Sequence, residues 1–90
     1  MPLNLLRHKL FKKDMAKVKL ANTQYAKYIL YVALLLEGKA LPAEARDHQL
    51  KGEWQDYKEF HLGGDMLLIY LLNEESLILV RVGTHSQLFK

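Results

Sequence analysis

The sequence predicts an α+β fold in which two helices pack on one face of an antiparallel β-sheet of about four strands. Three observations lead to this prediction. The chain has 90 residues and half of them are apolar, which suits one small domain with a modest core, expected over residues 1–90. Its first half has apolar residues at helical spacing, and its second half has strand-like runs separated by turn residues. Helices followed by strands are typical of α+β domains.

The first expected elements are a short strand and a lysine-rich helix. Residues 3–6 form an apolar run that would pair at an edge of the sheet. From Arg7 the spacing changes, and Phe11, Met15 and Val18 recur at i, i+4 and i+7, which is one stripe of a helix. We expect this stripe to face the core, with lysines filling the rest of the helix surface.

A second helix should follow Asn22 and Thr23, whose side chains can cap a helix N-terminus. Gly38 and Pro42 mark its end, because glycine favours the position after a helix and proline hinders continuation. The apolar side chains of this segment would cover most of the helix, so we expect it to be largely buried in the core. They are Tyr25, Tyr28, Ile29, Leu30, Val32, Leu34, Leu35 and Leu36.

Three strand-like runs follow a polar connector over residues 39–53. They span residues 54–62, 66–72 and 77–82. The middle run is continuously apolar, as expected of a central strand that is covered on both faces. Gly63-Gly64 separates the first two runs, and a polar turn over residues 73–76 separates the last two. Both separators are hairpin signals, so the three runs should form a meander.

Composition excludes several classes of protein. The absence of cysteine excludes a disulfide-stapled scaffold and cysteine-ligated zinc or iron–sulfur sites. The longest run without charge, Tyr28 to Leu36, is about nine residues, whereas a membrane span needs about 20. The N-terminal residues lack the pattern of a signal peptide. We therefore expect a cytoplasmic protein with no membrane partner.

Positive charge is concentrated at the start of the chain. The formal net charge is +3, but residues 1–27 hold seven basic side chains against Asp14 alone, and residues 28–90 hold six basic and nine acidic ones. The first helix would carry Lys9, Lys12, Lys13, Lys17 and Lys19. Such a surface suits a polyanion or an acidic partner. A merely solvated helix face is an equally good interpretation on charge alone.

The residues that suggest chemistry lie in the second half. Glu59 and His61 are two apart on a predicted strand and so share a face. In an antiparallel meander the end of the first strand and the end of the third meet at one edge, which would bring His61 close to His85. Asp65 follows the glycine turn at the same end. His48, on the connector, would join them only if its loop folds back.

Such a group suits the cleavage of an RNA phosphodiester by its own 2′-hydroxyl. That reaction needs a base for the hydroxyl, hydrogen-bonding or cationic groups for the phosphate, and an acid for the leaving 5′-oxygen. Imidazole titrates near neutrality and can act as base or acid. Lys58 and Arg81 are candidate phosphate ligands, and Phe89 is a candidate stacking surface for a base.

Structural interpretations compete with each of these assignments. A single histidine is more often structural than catalytic, and Arg81 could simply pair with Glu59 or Asp56. Trp54 and Tyr57 are better explained by packing than by base stacking. A metal site is disfavoured, because the sequence has no His-Glu-x-x-His helix and no close histidine pair. We therefore expect no metal and no cofactor.

Four segments together resemble the YafQ subfamily of RelE-type toxins. The shared pattern is D-H-x-L-x-G-x-W, H-x-x-x-D-x-x-L-x-Y and R-x-G-[ST]-H-x-x-L-F. It is carried by residues 47–54, 58–61, 65–70 and 81–89. The N-terminal helical hairpin also fits, so the resemblance covers nearly the whole chain. Each segment is weak alone, and the combination is specific.

The resemblance implies a fold and a function. Members of that family resemble microbial ribonucleases, with two helices against a twisted antiparallel sheet, and they cut mRNA on the ribosome as toxins of type II toxin–antitoxin pairs. The lysine-rich helix would then contact ribosomal RNA, and an antitoxin would be the protein partner. The alternative is a non-catalytic member of the same superfamily, a ParE-like gyrase inhibitor or an inert antitoxin-binding protein, which would not need the histidine cluster.

The resemblance also implies roles for individual residues. His85 would be the general acid, His61 and His48 would act as base or stabilise the phosphate, and Asp65 would orient or assist. Arg81 and Phe89 also match, as contacts to the phosphate and to a nucleotide. Glu59, a further candidate catalytic carboxylate, stands where some relatives have Asp, and Lys58 and Thr84 are further candidate contacts to RNA or its phosphate.

Overall fold

The computed structural model describes residues 3–89 and contains a five-stranded sheet with helices on both faces. The elements are β1 (Asn4–Arg7), α1 (Lys9–Lys17), α2 (Asn22–Leu36), β2 (His48–Gln49), β3 (Lys58–Gly63), β4 (Met66–Leu72), β5 (Ser76–Thr84) and α3 (His85–Leu88). The strand order is β1-β5-β4-β3-β2. Strands β2 to β5 form an antiparallel meander, and β1 adds to the free side of β5 in parallel.

The predicted α+β class and the edge position of the first strand are confirmed, with four differences in the strands. The sheet has five strands instead of about four, because His48–Gln49 adds a two-residue strand to β3. The sheet is not wholly antiparallel, because β1 is parallel to β5. The run predicted over residues 54–62 starts as a 3₁₀ turn and becomes a strand only at Lys58. Gly83 and Thr84 extend β5 and do not end it.

The larger core lies between the sheet and the helices α1 and α2. Phe11 of α1, Tyr31 of α2 and Phe60 of β3 are all at most 1% exposed. The rings of Tyr31 and Phe60 meet edge to face with centroids 5.4 Å apart, an arrangement that aromatic pairs prefer. The predicted stripe is confirmed for Phe11 and Met15, whereas Val18 packs against the same cluster as the C-cap, just past the end of α1.

Helix α2 is less buried than the sequence predicts. Its side chains Tyr31, Val32 and Leu35 are buried, whereas Tyr25 and Ile29 are about half exposed, at 51% and 53%. Leu30 is also exposed, so the prediction that the helix is largely buried is wrong. The physical reason is that the sheet covers α2 from one side only. Among the helices of residues 3–89, none combines the length and apolarity needed to cross a membrane.

Helix α2 differs from the prediction at its N-terminal end only. Ala21 is the N-cap, and its backbone N–H donates to the side-chain oxygen of Gln24 over 2.9 Å. The predicted caps Asn22 and Thr23 instead lie inside the first turn. The C-terminal end agrees with the prediction, because Gly38 follows the C-cap with a φ of +73°, a conformation that glycine adopts without strain.

A second, smaller apolar cluster covers the opposite face of the sheet. Its buried members are Leu67 and Ile69 of β4, Val80 of β5 and Leu88 of α3. Trp54, Tyr57 and Phe89 pack around them. Strand β4 is therefore buried on both faces, as its continuous apolar run predicts. This second face carries the polar residues that the sequence singles out.

Candidate functional site

A buried carboxylate between two histidines is the centre of the site. Glu59 of β3 is 4% exposed. The Nε2 atom of His61 lies 3.1 Å from Glu59 Oε2, and the Nε2 atom of His48 lies 3.3 Å from the same oxygen. The two imidazole rings stack at a centroid distance of 6.1 Å with an interplanar angle of 26°. Three of the predicted site residues thus form one cluster.

Strand pairing explains how these residues meet. Glu59 and His61 lie two apart on β3 and share a face, as predicted. His48 stands directly opposite Glu59 in the β2–β3 ladder, and opposed residues of an antiparallel pair point to the same face. His48 therefore joins the cluster through a short strand, which replaces the loop that the sequence suggests.

A backbone contact fixes the proton on one nitrogen of His48. Its Nδ1 atom lies 2.7 Å from the carbonyl oxygen of Arg46. A carbonyl oxygen only accepts hydrogen bonds, so Nδ1 must carry a proton and donate it. Nε2 can then donate to Glu59 only when His48 holds a second proton and is cationic. With a single proton, the ring presents a lone pair to the carboxylate.

The segment that carries His48 is anchored from the adjacent strands. The hydroxyl of Tyr70 on β4 donates a hydrogen bond to Asp47, the residue before His48. Burial raises the pKa of Tyr70, and the bond to Asp47 raises it further, so the hydroxyl stays protonated and able to donate. Lys58 Nζ lies 3.5 Å from the other oxygen of Asp47. The predicted phosphate ligand Lys58 is therefore also a structural partner of β2.

His85 approaches the same face from the far side of β4. His61 and Gly83 both pair with Leu67, so they face each other across β4, about 10 Å apart at two strand spacings. His85 follows Gly83 by two residues and opens α3, which packs on this face through Leu88. The sequence prediction that His61 and His85 end at one edge agrees with this register.

Main-chain and capping contacts position His85. Its backbone N–H donates to the carbonyl oxygen of Asp65 over 3.3 Å. Thr84 caps α3, because its hydroxyl accepts from the backbone N–H of Gln87 and the Gln87 side chain accepts from the backbone N–H of Thr84. Asp65 itself is exposed in the turn between β3 and β4. Thr84 and Asp65 therefore orient the start of α3 through these contacts.

Aromatic side chains continue the site beyond His85. The ring of Phe89 lies 5.0 Å from that of His85 and 5.9 Å from the indole of Trp54, measured between centroids. Trp54 also meets Tyr57 at 5.3 Å. Trp54 and Tyr57 pack on the second apolar cluster, as their packing interpretation predicts. Phe89 is partly exposed beside His85 and stays a candidate stacking surface.

Arg81 has a partner that the sequence analysis did not name. Its Nε and Nη2 atoms donate to the carboxylate of Asp14 on α1 over 2.7 and 3.1 Å. The hydrogen bonds to Asp14, and its charge, raise the pKa of Arg81. The same carboxylate accepts from the backbone N–H of Val82 over 3.1 Å. The proposed pairing of Arg81 with Glu59 or Asp56 is thus wrong. A phosphate contact by Arg81 would have to use Nη1 or share the guanidinium with Asp14.

The five lysines expected on the first helix surround the Asp14 position but stay free in solvent. All of them are exposed, and none is paired with an acidic side chain of residues 3–89. Four lie on α1 and the fifth lies just beyond it. Because the Asp14 carboxylate is paired with Arg81, it does little to neutralise the positive charge of these lysines. They are Lys9, Lys12, Lys13, Lys17 and Lys19.

Two features of the site escaped the sequence analysis. Tyr70 and Asp47 were not identified as a pair, although a hydroxyl within a buried strand signals the need for a hydrogen-bond partner. The cluster His48, Glu59 and His61 was not identified as a possible metal site, yet its ligand atoms lie within 4.8 Å of one another. The signal for both lay in the pairing of β2 with β3, which the sequence does not reveal.

Gly83 allows α3 to pack closely on β5, which gives a testable prediction. A Cβ at this position would lie 2.9 Å from Gln87 Oε1 and 3.3 Å from Leu88 Cδ2. Gly83→Ala should push the Gln87 amide away and break the Thr84–Gln87 cap, and we expect a loss of about 0.5–2 kcal/mol in the free energy of unfolding. Urea denaturation measures this loss. Ser86→Ala, an exposed change in the same helix, should stay within about 0.5 kcal/mol of the parent. Equal stability of both variants would contradict the prediction.

Known proteins are similar to this chain in sequence and in fold. Residues 3–90 match the profile of a family described as bacterial toxin of type II toxin–antitoxin system, YafQ. The chain is 38% identical over 77 residues to the mRNA interferase toxin YafQ of Escherichia coli strain K12, which covers 86% of this chain and 74% of that protein.

Solved structures agree with the sequence match. The chain resembles a chain of the crystal structure of the E. coli DinJ–YafQ toxin–antitoxin complex, with a TM-score of 0.81, 31% identity and full coverage of both chains. It also resembles a metal-bound toxin from Helicobacter pylori, with a TM-score of 0.80, 33% identity and coverage of 97% of this chain and 99% of that one.

Proposed function

The chain belongs to the YafQ family of bacterial toxins of type II toxin–antitoxin systems, and from this premise we propose that it is an endoribonuclease that cuts mRNA in the ribosomal A site. The reaction would be an attack of the RNA 2′-hydroxyl on its own phosphate, driven by acid–base catalysis without a metal ion. The single observation that carries the proposal is the convergence of His48, His61 and Glu59 opposite His85 on one face of the sheet.

The first half of the reaction needs a base. Glu59 is buried and contacts His61 Nε2 at 3.1 Å, so the pair can accept the proton of a 2′-hydroxyl that enters beside it. The oxygen so activated attacks the adjacent phosphorus and forms a 2′,3′-cyclic phosphate. A cationic His48, held by the Arg46 carbonyl, would stabilise the negative charge that develops on the phosphate.

The second half needs an acid. The bond between phosphorus and the 5′-oxygen breaks, and that oxygen must receive a proton. His85 is exposed at the start of α3, on the other side of β4 from Glu59, which suits an in-line arrangement with base and acid on opposite sides of the phosphate. Phe89, next to His85, would stack on a nucleotide base. Asp65 and Thr84 would act by positioning His85.

The ribosome would supply the substrate in position. The exposed lysines of α1 form a positively charged surface suited to the phosphates of ribosomal RNA. They lie apart from the carboxylate–histidine cluster in the fold, so ribosome binding and mRNA cleavage would use different surfaces. A protein of this size that acts on an already positioned message needs little binding surface of its own. Its place of action would be the cytoplasm, where ribosomes and mRNA are.

An antitoxin would be the protein partner. The E. coli relative YafQ has a crystal structure in complex with DinJ, as a toxin–antitoxin complex. An acidic or amphipathic segment would complement the lysine surface of α1. The cognate antitoxin of this chain would bind there and keep the toxin from the ribosome.

The lysine surface gives a quantitative prediction about ribosome binding. Lys12→Gln/Lys13→Gln should weaken binding and lower the slope of log affinity against log salt by about 1–2, because each phosphate contact releases about one counterion. Binding of fluorescent protein to purified ribosomes over a salt series measures the slope. Lys39→Gln/Lys51→Gln removes two exposed lysines outside α1 and should leave the salt slope unchanged. Equal slopes for both variants would rule out contacts between the lysines of α1 and the phosphates of ribosomal RNA.

The proposed reaction is tested with programmed ribosomes and purified protein. We expect cleavage of mRNA in the A site, with 2′,3′-cyclic phosphate and 5′-hydroxyl ends, because attack by the 2′-hydroxyl leaves those ends. Added 1,10-phenanthroline, which binds transition metals and spares the Mg²⁺ that ribosomes require, should not reduce the rate.

Three results would contradict the proposal. They are intact message, equal cleavage of free mRNA, and products that end in 3′-hydroxyl and 5′-phosphate. Intact message together with a DNA-damage response in cells would favour the gyrase-directed alternative.

A further inference from the structure

We propose that His48, Glu59 and His61 form a site for a transition-metal ion of the Zn²⁺ type, and that an ion bound there switches off RNA cleavage. The binding half of this inference depends only on the residues of the cluster. The inhibition half rests on the proposed function, because it assigns the same three residues to catalysis.

The donor atoms suit zinc in kind and in spacing. Two imidazole nitrogens and one carboxylate oxygen form a set that zinc binds in open sites, with a fourth position left for water. Tetrahedral coordination with bonds of 2.0–2.1 Å places neighbouring ligand atoms about 3.3 Å apart. The two distances from Glu59 Oε2 to the imidazole Nε2 atoms are 3.1 and 3.3 Å. All three ligand atoms lie within 4.8 Å of one another, so the two imidazoles would have to approach each other by at most about 1.5 Å to complete a tetrahedral set.

The hydrogen bond of His48 prepares it as a ligand. Metal-binding histidines typically donate from the nitrogen that does not bind the metal, often to a backbone carbonyl, and this fixes the ring orientation. His48 Nδ1 makes such a bond with the carbonyl of Arg46. The Nε2 lone pair is then aimed at the carboxylate of Glu59, so a cation between them relieves a repulsive contact.

The burial of Glu59 supplies a further reason to bind a cation. A charged carboxylate that is only 4% exposed is costly unless a positive group compensates it. A neutral His61 can donate one hydrogen bond to the carboxylate, a neutral His48 protonated on Nδ1 cannot, and neither ring supplies positive charge. Either a proton on His48 or a metal ion supplies the compensating charge. The His48 side chain is 52% exposed, whereas that of His61 is 22% exposed, so an ion can enter from the His48 side.

Metal binding and catalysis would exclude each other. An ion on Nε2 of both histidines and on the carboxylate takes the lone pairs that would accept the 2′-hydroxyl proton. His85, on α3, is not part of the cluster and would not bind the ion. The site would therefore be inhibitory, and removing the ion with a chelator would restore cleavage. This differs from a metal-dependent nuclease, in which removing the ion abolishes cleavage.

The binding half is tested on metal-free protein without RNA. Competition against a chromogenic zinc chelator should give one Zn²⁺ per chain. His48→Gln and His61→Gln should each weaken binding at least tenfold, and circular dichroism should show that they keep the fold. His85→Gln is the matched control, since it removes a histidine outside the cluster, and should keep stoichiometry and affinity. Absence of stoichiometric binding, or equal affinity in the His48 and His61 variants and the parent, would overturn the site.

The inhibition half is tested with programmed ribosomes in Mg²⁺ buffer. One equivalent of Zn²⁺ should lower the cleavage rate at least tenfold, and 1,10-phenanthroline should restore it. Undiminished cleavage by protein shown to hold one Zn²⁺ would overturn the inhibition. The proposed function is judged separately, by cleavage with metal-free protein. If metal-free protein does not cleave mRNA, the proposed function fails. The zinc site is then judged by the zinc affinities of the parent and its variants alone.

Discussion

His85→Ala is expected to lower the rate of mRNA cleavage on the ribosome by a factor on the order of 10²–10⁴, the usual contribution of a group that transfers a proton in the transition state. The protein should otherwise be unchanged. The imidazole is exposed, and the backbone contact to Asp65 and the cap of α3 do not involve it. Affinity for ribosomes should therefore match the parent, because the lysines of α1 are untouched.

The measurement is a single-turnover rate on programmed ribosomes with saturating protein, so that binding does not limit it. Ser86→Ala, the neighbouring exposed position on α3, is the matched control and should cleave at the parental rate. A His85→Ala rate within threefold of the parent would remove His85 from the chemistry. A change in apparent affinity with an unchanged maximal rate would instead assign His85 to substrate binding.

A pH series separates acid catalysis from simple positioning. If His85 donates the proton, the parent should lose activity at alkaline pH, because a general acid must be protonated to act. The slow residual reaction of His85→Ala should lack that alkaline limb. If His85 only holds Phe89 or the start of α3 in place, both proteins should show the same pH dependence, with the variant lower throughout.

Much of the fold follows from local signals that the sequence carries plainly. The run from Met66 to Leu72 is a central strand because every side chain is apolar, and a strand buried on both faces needs nothing else. The end of α2 at Gly38 follows from the conformational freedom of glycine. The stripe of α1 follows from helical periodicity, which places Phe11 and Met15 on one face.

The remaining features depend on contacts between distant parts of the chain. Strand β2 has two residues and no periodicity, and it exists because it pairs with β3. Periodicity shows that α2 is apolar but not which part of it the sheet covers, so Ile29 was wrongly assigned to the core. Asp14 meets Arg81 across 67 positions. Its signal was indirect, since it is the only acidic residue within a lysine-rich helix.

In the site, too, some features follow from local sequence signals and others from contacts between distant parts of the chain. Glu59 and His61 share a face by the alternation of a strand, which the sequence predicts. The meeting of His48 with Glu59 depends on β2, and its fixed tautomer depends on the carbonyl of Arg46. The sequence therefore identifies the residue types that acid–base chemistry needs. The pairing of strands determines that two histidines share one carboxylate oxygen, and hence that a cation suits the space between them.

Glu59→Gln is the second change expected to reduce cleavage strongly, again by on the order of 10²–10⁴ in the single-turnover rate if the carboxylate accepts the 2′-hydroxyl proton. The amide is nearly the same size as the carboxylate and can still contact both histidines, so the fold should persist. The amide carries no charge and cannot accept the 2′-hydroxyl proton. Urea denaturation, compared with the parent, checks that the protein is folded.

Histidine variants distinguish the two ways in which Glu59 could act. If the carboxylate is the base, His61→Gln should reduce the rate much less than Glu59→Gln, since a hydrogen-bond donor to Glu59 remains. If Glu59 only orients His61, which is then the base, both variants should lose about the same factor, and the double variant should lose no more than either. Residues that act as one unit give such non-additive losses. Glu59→Gln activity within threefold of the parent would exclude both roles and leave the carboxylate as a structural or metal-binding group.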